Sequence, residues 1–267
     1  MQLPFYQVDA FTDTVFKGNY AAVVPLAQWL PDVVMQAIAS ENNLSETAFF
    51  VRGPDGAYAI RWFSPLTEIA FCGHATLASA YVIFKQNADA DIIAFTADAV
   101  GRLSVSRKAD GFIEMRFPLR PAETLETIPD ALLKGLSIAP REVAVCGQAY
   151  VVVYASEAEV REVVPTLPLL ATLGPRDVVV TARGDRHDFV SRYFWPANGG
   201  DEDPVTGSIH ATLAPFWAAR LGKADLLAMQ VSRRTGLLHC RVVDDGVFVS
   251  GQAVQYLEGF IEIPTVA

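Results

Sequence analysis

Short stretches of alternating or uniformly apolar residues fill most of this 267-residue chain and predict many short β-strands. In the first half the predicted strands cover 3–11, 21–24, 47–51, 58–63, 92–96, 102–107 and 112–117. In the second half they cover 143–146, 150–154, 177–181, 189–195, 226–231, 237–243, 247–250 and 254–263. Turn residues such as the Pro-Asp-Gly at 54–56 separate neighbouring strands. The pattern therefore predicts two groups of strands, one in each half of the chain.

Each half also contains one strongly apolar helical run, over 75–85 and over 209–221. A helix that is apolar on every side has to be buried on every side, so each run predicts a central helix wrapped by a curved sheet. The pentapeptide His-Ala-Thr-Leu-Ala occurs at 74–78 and again at 210–214, which favours a duplicated unit. Pro215 lies inside the second run, and we expect it to kink the helix or to interrupt its hydrogen bonds.

Shorter helices are predicted over 31–40, from Leu132, and over 157–167. Residues 118–129 are rich in Pro, Glu and Thr and are the best candidate for an interdomain linker. The sequence therefore predicts two domains, which cover residues 1–118 and 126–255.

Charge and cysteine usage limit the partners of the chain. The formal net charge is −9, which argues against nucleic acid or an anionic membrane surface as a partner. No uncharged apolar stretch is long enough to span a membrane, and the N-terminal residues read as a strand and not as a signal peptide. The three cysteines contain no CxxC pair, so we expect neither a disulfide framework nor a zinc site. A cytoplasmic location is the resulting expectation.

Two stretches combine small residues with the free backbone N–H groups of a helix start. The first is Cys72-Gly73-His74-Ala75-Thr76, and the second runs from Asp203 to Ser208. Two such helix starts facing each other would grip an anionic substrate from both sides. In the second stretch Asp203 is a plausible N-cap, with Pro204 at the first helical position, and the donors of Thr206, Gly207 and Ser208 could bind a carboxylate.

Glu46 and His74 are the candidates for acid/base chemistry, and Cys72 is a candidate nucleophile. Glu46 directly precedes an apolar strand, where a desolvated carboxyl suits general acid/base catalysis; the alternative is a glutamate that points to solvent. The helix dipole should lower the pKa of His74 and keep the imidazole neutral, unless this residue only caps a turn. The same dipole favours a Cys72 thiolate, but a buried free cysteine is usually inert.

The other histidines and the familiar nucleotide motifs point to no further chemistry. His187 and His239 have no partner at a metal-ligand spacing, and His210 is interpreted as a core histidine. The chain contains no Walker A motif, no GxGxxG after a strand and no GxSxG. The sequence therefore implies no ATP, no dinucleotide, no metal and no serine hydrolase.

Taken together, these residues resemble the PhzF-like family of phenazine-biosynthesis isomerases over essentially the whole chain. The resemblance is carried by these segments: Val8 to Phe11 with Gly18-Asn19, Leu44 to Phe49, Arg61 to Pro65 with Glu68, Cys72 to Thr76, Arg192, Phe194 and Pro196, and Glu202 to Ser208. Two blocks are highly specific in combination: the one from Arg61 to Thr76 and the one from Arg192 to Ser208.

The resemblance implies the α+β diaminopimelate epimerase-like fold. In that fold two pseudo-symmetric domains each wrap a mixed, mostly antiparallel sheet around a central helix, and the site lies in the cleft between them. It also implies that the end of the chain, 256–267, returns to the first domain and that the protein forms a homodimer.

The resemblance further implies a cofactor-independent isomerase that moves a proton within a small carboxylic acid. Carried over residue by residue, Glu46 is the general acid/base, while His74, Asp203 and Ser208 orient the substrate and relay protons. Substrate binding falls to Gly73, Ala75, Thr206 and Gly207, in part through backbone N–H groups. The resemblance implies no metal.

One departure from related enzymes narrows the mechanism. Epimerases and racemases of this fold use two facing cysteines; Cys72 fits the first position, but Pro204 occupies the second. A two-thiol racemase is therefore not expected. Two alternatives stay open: a metabolite-binding or interaction protein that keeps the fold without turnover, and a thiol-dependent epimerase that uses Cys72 alone. The sequence does not identify the substrate.

Overall fold

The computed structural model describes residues 1–264 and separates into two compact units. Unit 1 comprises Met1–Arg116 together with the segment from Ser250 onward, and unit 2 comprises Phe117–Val249. No helix within residues 1–264 combines the length and the apolar content needed to cross a bilayer.

Unit 1 is built from short strands and two helices. The elements in chain order are β1 (Gln2–Ala10), β2 (Asn19–Leu26), α1 (Asp32–Asn42), β3 (Glu46–Arg52), β4 (Tyr58–Phe63), β5 (Glu68–Ile69), α2 (Gly73–Gln86), β6 (Ile92–Ala97), β7 (Gly101–Arg107) and β8 (Ile113–Phe117). The strand β18 (Ala253–Glu262) pairs antiparallel with β1 along nine residues of β1, Gln2 to Ala10. The last segment of the described chain therefore completes the sheet of unit 1.

Unit 2 contains the remaining strands and four helices. They are β9 (Glu123–Thr124), α3 (Asp130–Lys134), β10 (Glu142–Val145), β11 (Ala149–Val153), α4 (Glu157–Glu162), α5 (Leu167–Ala171), β12 (Asp177–Arg183), β13 (Phe189–Phe194), β14 (Glu202–Asp203), α6 (His210–Leu221), β15 (Asp225–Gln230), β16 (Gly236–Val243) and β17 (Gly246–Gly251). A short 3₁₀ turn, Pro196–Asn198, lies between β13 and β14.

The two units repeat one order of strand pairing. In unit 1 the pairs β1–β2, β2–β3, β3–β4, β4–β6 and β6–β7 are antiparallel, parallel, antiparallel, parallel and antiparallel. In unit 2 the pairs β10–β11, β11–β12, β12–β13, β13–β15 and β15–β16 follow the same sequence of directions. The prediction of a duplicated, mostly antiparallel unit is therefore confirmed.

The helix α2 is the buried centre of unit 1, as its apolar sequence predicts. Of its fourteen residues only Tyr81, Lys85 and Gln86 are not buried, and the helix packs against β1, β2, β3 and β18. The buried hydroxyls of Thr76 and Ser79 donate to the carbonyl groups of Cys72 and Ala75 one turn earlier, at 2.6 and 2.8 Å. These bonds satisfy the polar groups of a helix that has no contact with water along most of its length.

The helix α6 has the corresponding place in the sequence of unit 2. It buries His210 to Ala214 and Trp217, and the Trp217 indole donates to the Thr181 hydroxyl at 2.9 Å while its ring stacks on Phe189. The helix runs through Pro215 to Leu221, but Pro215 has no N–H, and the Ala211 carbonyl accepts a hydrogen bond from the Arg120 N–H at 3.1 Å instead. The expected interruption of the helical hydrogen bonds at Pro215 is therefore confirmed.

Two further expectations differ from the structure. The helix predicted over 157–167 is two short helices, because Pro165 disfavours a helical Val164 and lacks the N–H that a continuing helix needs. The two-residue strands β5, β9 and β14 were not predicted, since two residues are too few to show a period.

Candidate active site

Glu46 is the first residue of β3 and is buried. Its side chain is about 8 % exposed, and its register partner on the parallel strand β2 is Ala21. The residues that follow it, Thr47 to Phe50, are buried as well. The interpretation of Glu46 as a solvent-facing glutamate at a strand end is therefore wrong.

His74 lies beside Glu46 because the first turn of α2 reaches the start of β3. Its Nε2 is 2.8 Å from Oε2 of Glu46, which is the distance of an ion pair, but the two atoms lack the alignment of a hydrogen bond. On the other side of the ring, the amide nitrogen of Asn19 is 3.1 Å from Nδ1, and the Ser45 hydroxyl donates to the Asn19 oxygen at 3.3 Å. No group in the described chain therefore donates an aligned hydrogen bond to Oε2 of Glu46.

The charge state of His74 differs from the expectation. Burial acts to lower its pKa, but Cys72 and the Glu46 carboxylate outweigh burial and raise the pKa well above the ordinary value. The Glu46 carboxylate, 2.8 Å from Nε2, is a nearby anion that favours the protonated form of the imidazole. The prediction that the helix dipole lowers the pKa of His74 is therefore wrong.

Cys72 precedes α2 and contacts the imidazole. Its Sγ lies 3.5 Å from Nδ1 and 3.8 Å from Nε2 of His74. Burial, followed by the nearby Glu46 carboxylate, raises the pKa of the Cys72 thiol to about 11. Because the thiolate is the nucleophilic form, Cys72 is a weak nucleophile at neutral pH. This result agrees with the inert alternative for the residue.

The start of α2 offers backbone donors next to this pair. Gly73 is the first residue of the helix, and no group within residues 1–264 accepts a hydrogen bond from its N–H. Ala75, also assigned to substrate binding, has its N–H directed at the sulfur of Cys72. Gly73 is therefore the better placed of the two to bind a carboxylate oxygen.

The second stretch has a different local structure from the one expected. Asp203 lies on β14, and α6 begins only at His210, so Asp203 does not cap the helix and Pro204 is not its first residue. The reason is that Asp203 pairs with Tyr193 of β13, which holds the aspartate in a strand. Residues 204–209 therefore form a loop between β14 and α6.

Thr206 uses its donors inside unit 2. Its N–H donates to Oε1 of Gln230 at 2.9 Å, and its hydroxyl donates to Oδ2 of Asp203 at 2.5 Å. The Gln230 amide in turn donates to the carbonyl of Asp203 at 2.7 Å. Thr206 therefore fixes the Asp203 carboxylate and has no donor left for a ligand. By contrast, no group in the described part of the chain accepts from the N–H of Gly207.

Ser208 is half-buried and accepts a hydrogen bond from Nε2 of Gln148 at 3.0 Å. Gln148 and Asn19 were not predicted as site residues. Each of them follows a glycine, at Gly18 and Gly147, directly before or at the start of a short buried strand. This repeated Gly-amide pair was the signal that could have identified both.

His210 is a core residue, as predicted, although only half of its ring is satisfied. Its Nδ1 lies 2.9 Å from the carbonyl oxygen of Thr206, while its buried Nε2 has no partner within residues 1–264. Burial lowers the pKa of His210 to about 4, so the ring is neutral at physiological pH.

Each unit contains a bidentate arginine–glutamate ion pair close in sequence to its predicted helix start. In unit 1 the Arg61 guanidinium donates to both carboxylate oxygens of Glu68 at 2.7 and 2.6 Å. In unit 2 the Arg192 guanidinium binds both oxygens of Glu202 at 2.8 and 3.0 Å. Since Glu202 adjoins Asp203, Arg192 holds the strand that carries the aspartate.

The atoms of Glu46, Cys72 and His74 also form the one group, among the residues that the structure describes, that could hold a metal ion. The sulfur, nitrogen and oxygen donors all lie within 4.8 Å of one another. Such a set suits a zinc-like ion in its chemistry. The same atoms contact each other directly, so the group can act on protons without a metal.

The repeated strand order and the buried central helix α2 give the chain the diaminopimelate epimerase-like fold, which confirms the expected fold. A predicted epimerase of Pseudomonas aeruginosa has the same fold, with a TM-score of 0.77 at 21 % identity over 98 % of this chain and 100 % of that chain. The assignment to a family rests on stronger similarity.

The chain belongs to the PhzC/PhzF family of phenazine biosynthesis-like proteins, whose family model matches residues 8–259. An uncharacterized isomerase of Pseudomonas aeruginosa is 48 % identical over 263 residues, which cover 98 % of this chain and 100 % of the relative. The crystal structure of a PhzF-family protein from Enterococcus faecalis has a TM-score of 0.94 at 42 % identity, over 98 % of this chain and 100 % of that chain. The resemblance to the PhzF-like family is thereby confirmed.

Proposed function

We propose that this chain is an isomerase that moves a proton between two carbons of a small carboxylic acid, with Glu46 as general acid/base. The observation that carries the proposal is the buried Glu46 carboxylate, whose Oε2 makes no aligned hydrogen bond in the described chain and lies 2.8 Å from the His74 imidazole. The isomerase names of close bacterial relatives support the reaction class.

The proposed step conserves atoms and electrons. Glu46 takes a proton from a carbon of the substrate, and the electrons of that C–H bond enter a conjugated π-system. The double bond shifts, and Glu46 returns the proton to a second carbon on the same face. No net oxidation or reduction occurs, so the proposal assigns no cofactor. The His74 imidazole, whose Nε2 lies 2.8 Å from Oε2, attracts the carboxylate and, once the two atoms align, exchanges its N–H proton with the proton that Glu46 carries.

The remaining groups orient the substrate in this proposal. The N–H groups of Gly73 and Gly207 bind carboxylate oxygens, because no group among residues 1–264 accepts a hydrogen bond from them. Asp203, fixed by Thr206, and Ser208 bind polar groups of the substrate, with Ala75 as part of the wall. Their assignment rests on the family resemblance together with these contacts.

The proposal is tested by solvent exchange. A panel of small unsaturated carboxylic acids is incubated with the chain in heavy water, and deuterium incorporation at carbon is followed by NMR. We expect incorporation by the wild type and a loss of at least about 100-fold in Glu46→Gln, which has nearly the same shape but cannot accept the proton.

Cys72→Ala is the matched control, because it alters the same buried group and leaves the carboxylate in place. We expect it to retain exchange within a few-fold of the wild type. Equal exchange rates in the wild type and Glu46→Gln would exclude Glu46 as the base. Loss of exchange in Cys72→Ala alone would assign the proton transfer to the Cys72 thiol. Binding of the carboxylic acids without any deuterium exchange would favour the alternative of a metabolite-binding protein.

A further inference from the structure

Asp177 occupies in unit 2 the position that Glu46 occupies in unit 1. Glu46 is the first residue of β3 and aligns with Ala21 of the parallel strand β2; Asp177 is the first residue of β12 and aligns with Ala149 of the parallel strand β11. In both units the next residue along begins the antiparallel pairing with the following strand. The repeat therefore places a carboxylate at the same point of both sheets.

The surroundings of Asp177 differ from those of Glu46. Its Oδ2 accepts a hydrogen bond from the Tyr193 hydroxyl at 2.6 Å, and its Oδ1 accepts from the Asn198 amide at 2.7 Å. Both oxygens are therefore engaged, whereas Oε2 of Glu46 makes no aligned hydrogen bond. A carboxylate that is held on both oxygens is suited to fixing its neighbours and not to taking a proton from a substrate.

A chain of hydrogen bonds leads from Asp177 to Ser208. The Tyr193 hydroxyl donates to Asp177, Nε2 of Gln148 donates to the Tyr193 oxygen at 2.9 Å, and the same Nε2 donates to the Ser208 oxygen at 3.0 Å. All four side chains belong to unit 2 and come from different segments: β12, β13, the turn before β11 and the loop before α6.

The hydrogen bonds from Asp177 to Ser208 have one consistent donor-to-acceptor direction. An ionised carboxylate only accepts, so the hydroxyl hydrogen of Tyr193 has to point at Asp177. The Tyr193 oxygen is then an acceptor, which requires the nitrogen of the Gln148 amide to face it. The second hydrogen of that nitrogen points at Ser208, whose oxygen becomes an acceptor. The hydroxyl hydrogen of Ser208 is left to donate elsewhere.

We infer that Asp177, Tyr193 and Gln148 are positioning residues that hold the Ser208 hydroxyl as a hydrogen-bond donor to the carboxylate of the ligand. The inference rests on the proposed function for the role of Ser208 in binding a small carboxylic acid. The two copies of the repeated carboxylate thus have different tasks: Glu46 moves the proton, and Asp177 sets the direction of a hydrogen-bond chain.

The test measures binding of benzoate, and of benzamide as its uncharged counterpart, by isothermal titration calorimetry. Gln148→Met keeps the length of the side chain and removes its donors. We expect Gln148→Met and Ser208→Ala each to weaken benzoate binding by about tenfold and to weaken benzamide binding less, because a hydroxyl donates more strongly to a charged oxygen than to a neutral one. The double variant should bind benzoate as weakly as either single variant, because both act through one hydroxyl.

The matched control is Gln86→Met, which removes the hydrogen bond from another glutamine amide to another tyrosine hydroxyl, Tyr6, at 3.0 Å in unit 1. It should bind benzoate like the wild type. Thermal unfolding is measured for every variant, and Tyr193→Phe replaces Gln148→Met where the latter does not fold. A purely structural role for Gln148 would give additive losses in the double variant.

Equal benzoate affinity in the wild type and Gln148→Met, including no affinity in either, overturns the inference. So do additive effects of Gln148→Met and Ser208→Ala. Because this measurement needs no turnover, its outcome is separate from that of the exchange test. Non-additive loss of benzoate binding without any exchange would retain the positioning chain and reject only the proton transfer.

Discussion

The contact between Glu46 and His74 links the proposed chemistry to stability. Both side chains are buried, and the neighbouring carboxylate acts to raise the pKa of an imidazole whose burial acts to lower it. A buried charged pair of this kind is costly to desolvate, and removing one partner leaves the other charge without compensation. The pair is therefore expected to make stability depend on pH near neutrality.

The first prediction concerns this dependence. The pKa of His74 is raised above its unfolded value of about 6.5, so its contribution to stability is complete below about pH 6.5 and is lost as pH rises through the folded pKa. Between about pH 5 and 8 the free energy of unfolding of the wild type should fall above pH 6.5. Glu46→Gln should show a smaller fall, because its amide does not hold the proton.

Urea unfolding at a series of pH values measures both profiles. His210 titrates in the opposite sense, since burial lowers its pKa to about 4, but it is present in both proteins and cancels in the difference. Parallel profiles for the wild type and Glu46→Gln would contradict the assigned interaction.

Individual residues also show how far the sequence could predict the site. Glu46 and His74 were predicted to belong to one site, and the structure brings them into contact. The chemical state of His74 was not predictable, because it depends on a carboxylate 28 positions earlier in the chain. Thr206 was assigned to the ligand, but its donors are used by Gln230 and Asp203, and a long-range partner such as Gln230 leaves no local pattern.

At the level of elements, the two arginine–glutamate anchors are equivalent in topology but not in their surroundings. Arg61 also binds Asp32, which is mostly exposed, and its side chain is 27 % exposed. The Arg192 side chain is 13 % exposed, and its remaining nitrogen, Nη1, donates to the carbonyl groups of Val160, Arg161 and Val163. Arg192 therefore satisfies the C-terminal end of α4 in addition to holding β14.

The second prediction follows from this difference. Arg192→Ala leaves the half-buried Glu202 and three backbone carbonyl groups without their donor, and it should cost about 3 kcal/mol of unfolding free energy. Arg61→Ala removes a more exposed pair and should cost about 1 kcal/mol. Equilibrium urea unfolding of the two variants compares the losses. Equal costs, or a larger cost for Arg61→Ala, would show that the carbonyl contacts do not matter.

The regular elements followed the sequence where the apolar pattern was long. The strand predicted at 58–63 and the observed β4 are identical, and α6 begins within one residue of the prediction. A local sequence pattern does not show which strands pair with each other. For example, β14 is only two residues long and is a strand because it pairs with β13. That pairing holds Asp203 in a strand, so the aspartate is a strand residue and not a helix cap.

For the molecule as a whole, the return of the chain to unit 1 is the main constraint. Strand β18 pairs with β1 along nine residues of β1, and Lys85 of α2 binds Glu258 of β18 at 2.9 Å. The sheet around α2 is thus formed from both ends of the described sequence, while unit 2 is one continuous segment.

The third prediction is that a chain ended after Gly251 loses order in unit 1 but not in unit 2. Without β18, the backbone of β1 loses one of its two neighbouring strands, and amide hydrogens of β1 should exchange much faster. Hydrogen exchange followed by mass spectrometry resolves peptides from each unit. A chain ended after Ile263 retains every β1–β18 pair and is the control. Unchanged protection of β1 in the shorter chain would contradict the prediction.

The position of β18 in the sequence has a consequence for synthesis on the ribosome. Domains generally fold as they emerge, the N-terminal one first. Here all of Phe117–Val249 is translated before β18, so the segment that emerges second is the first whose sheet can be completed. Until then β1 lacks one of its two neighbouring strands, and the apolar helix α2 lacks one of the strands that it packs against. We therefore expect the nascent N-terminal half to need protection from aggregation for as long as translation of the second half takes.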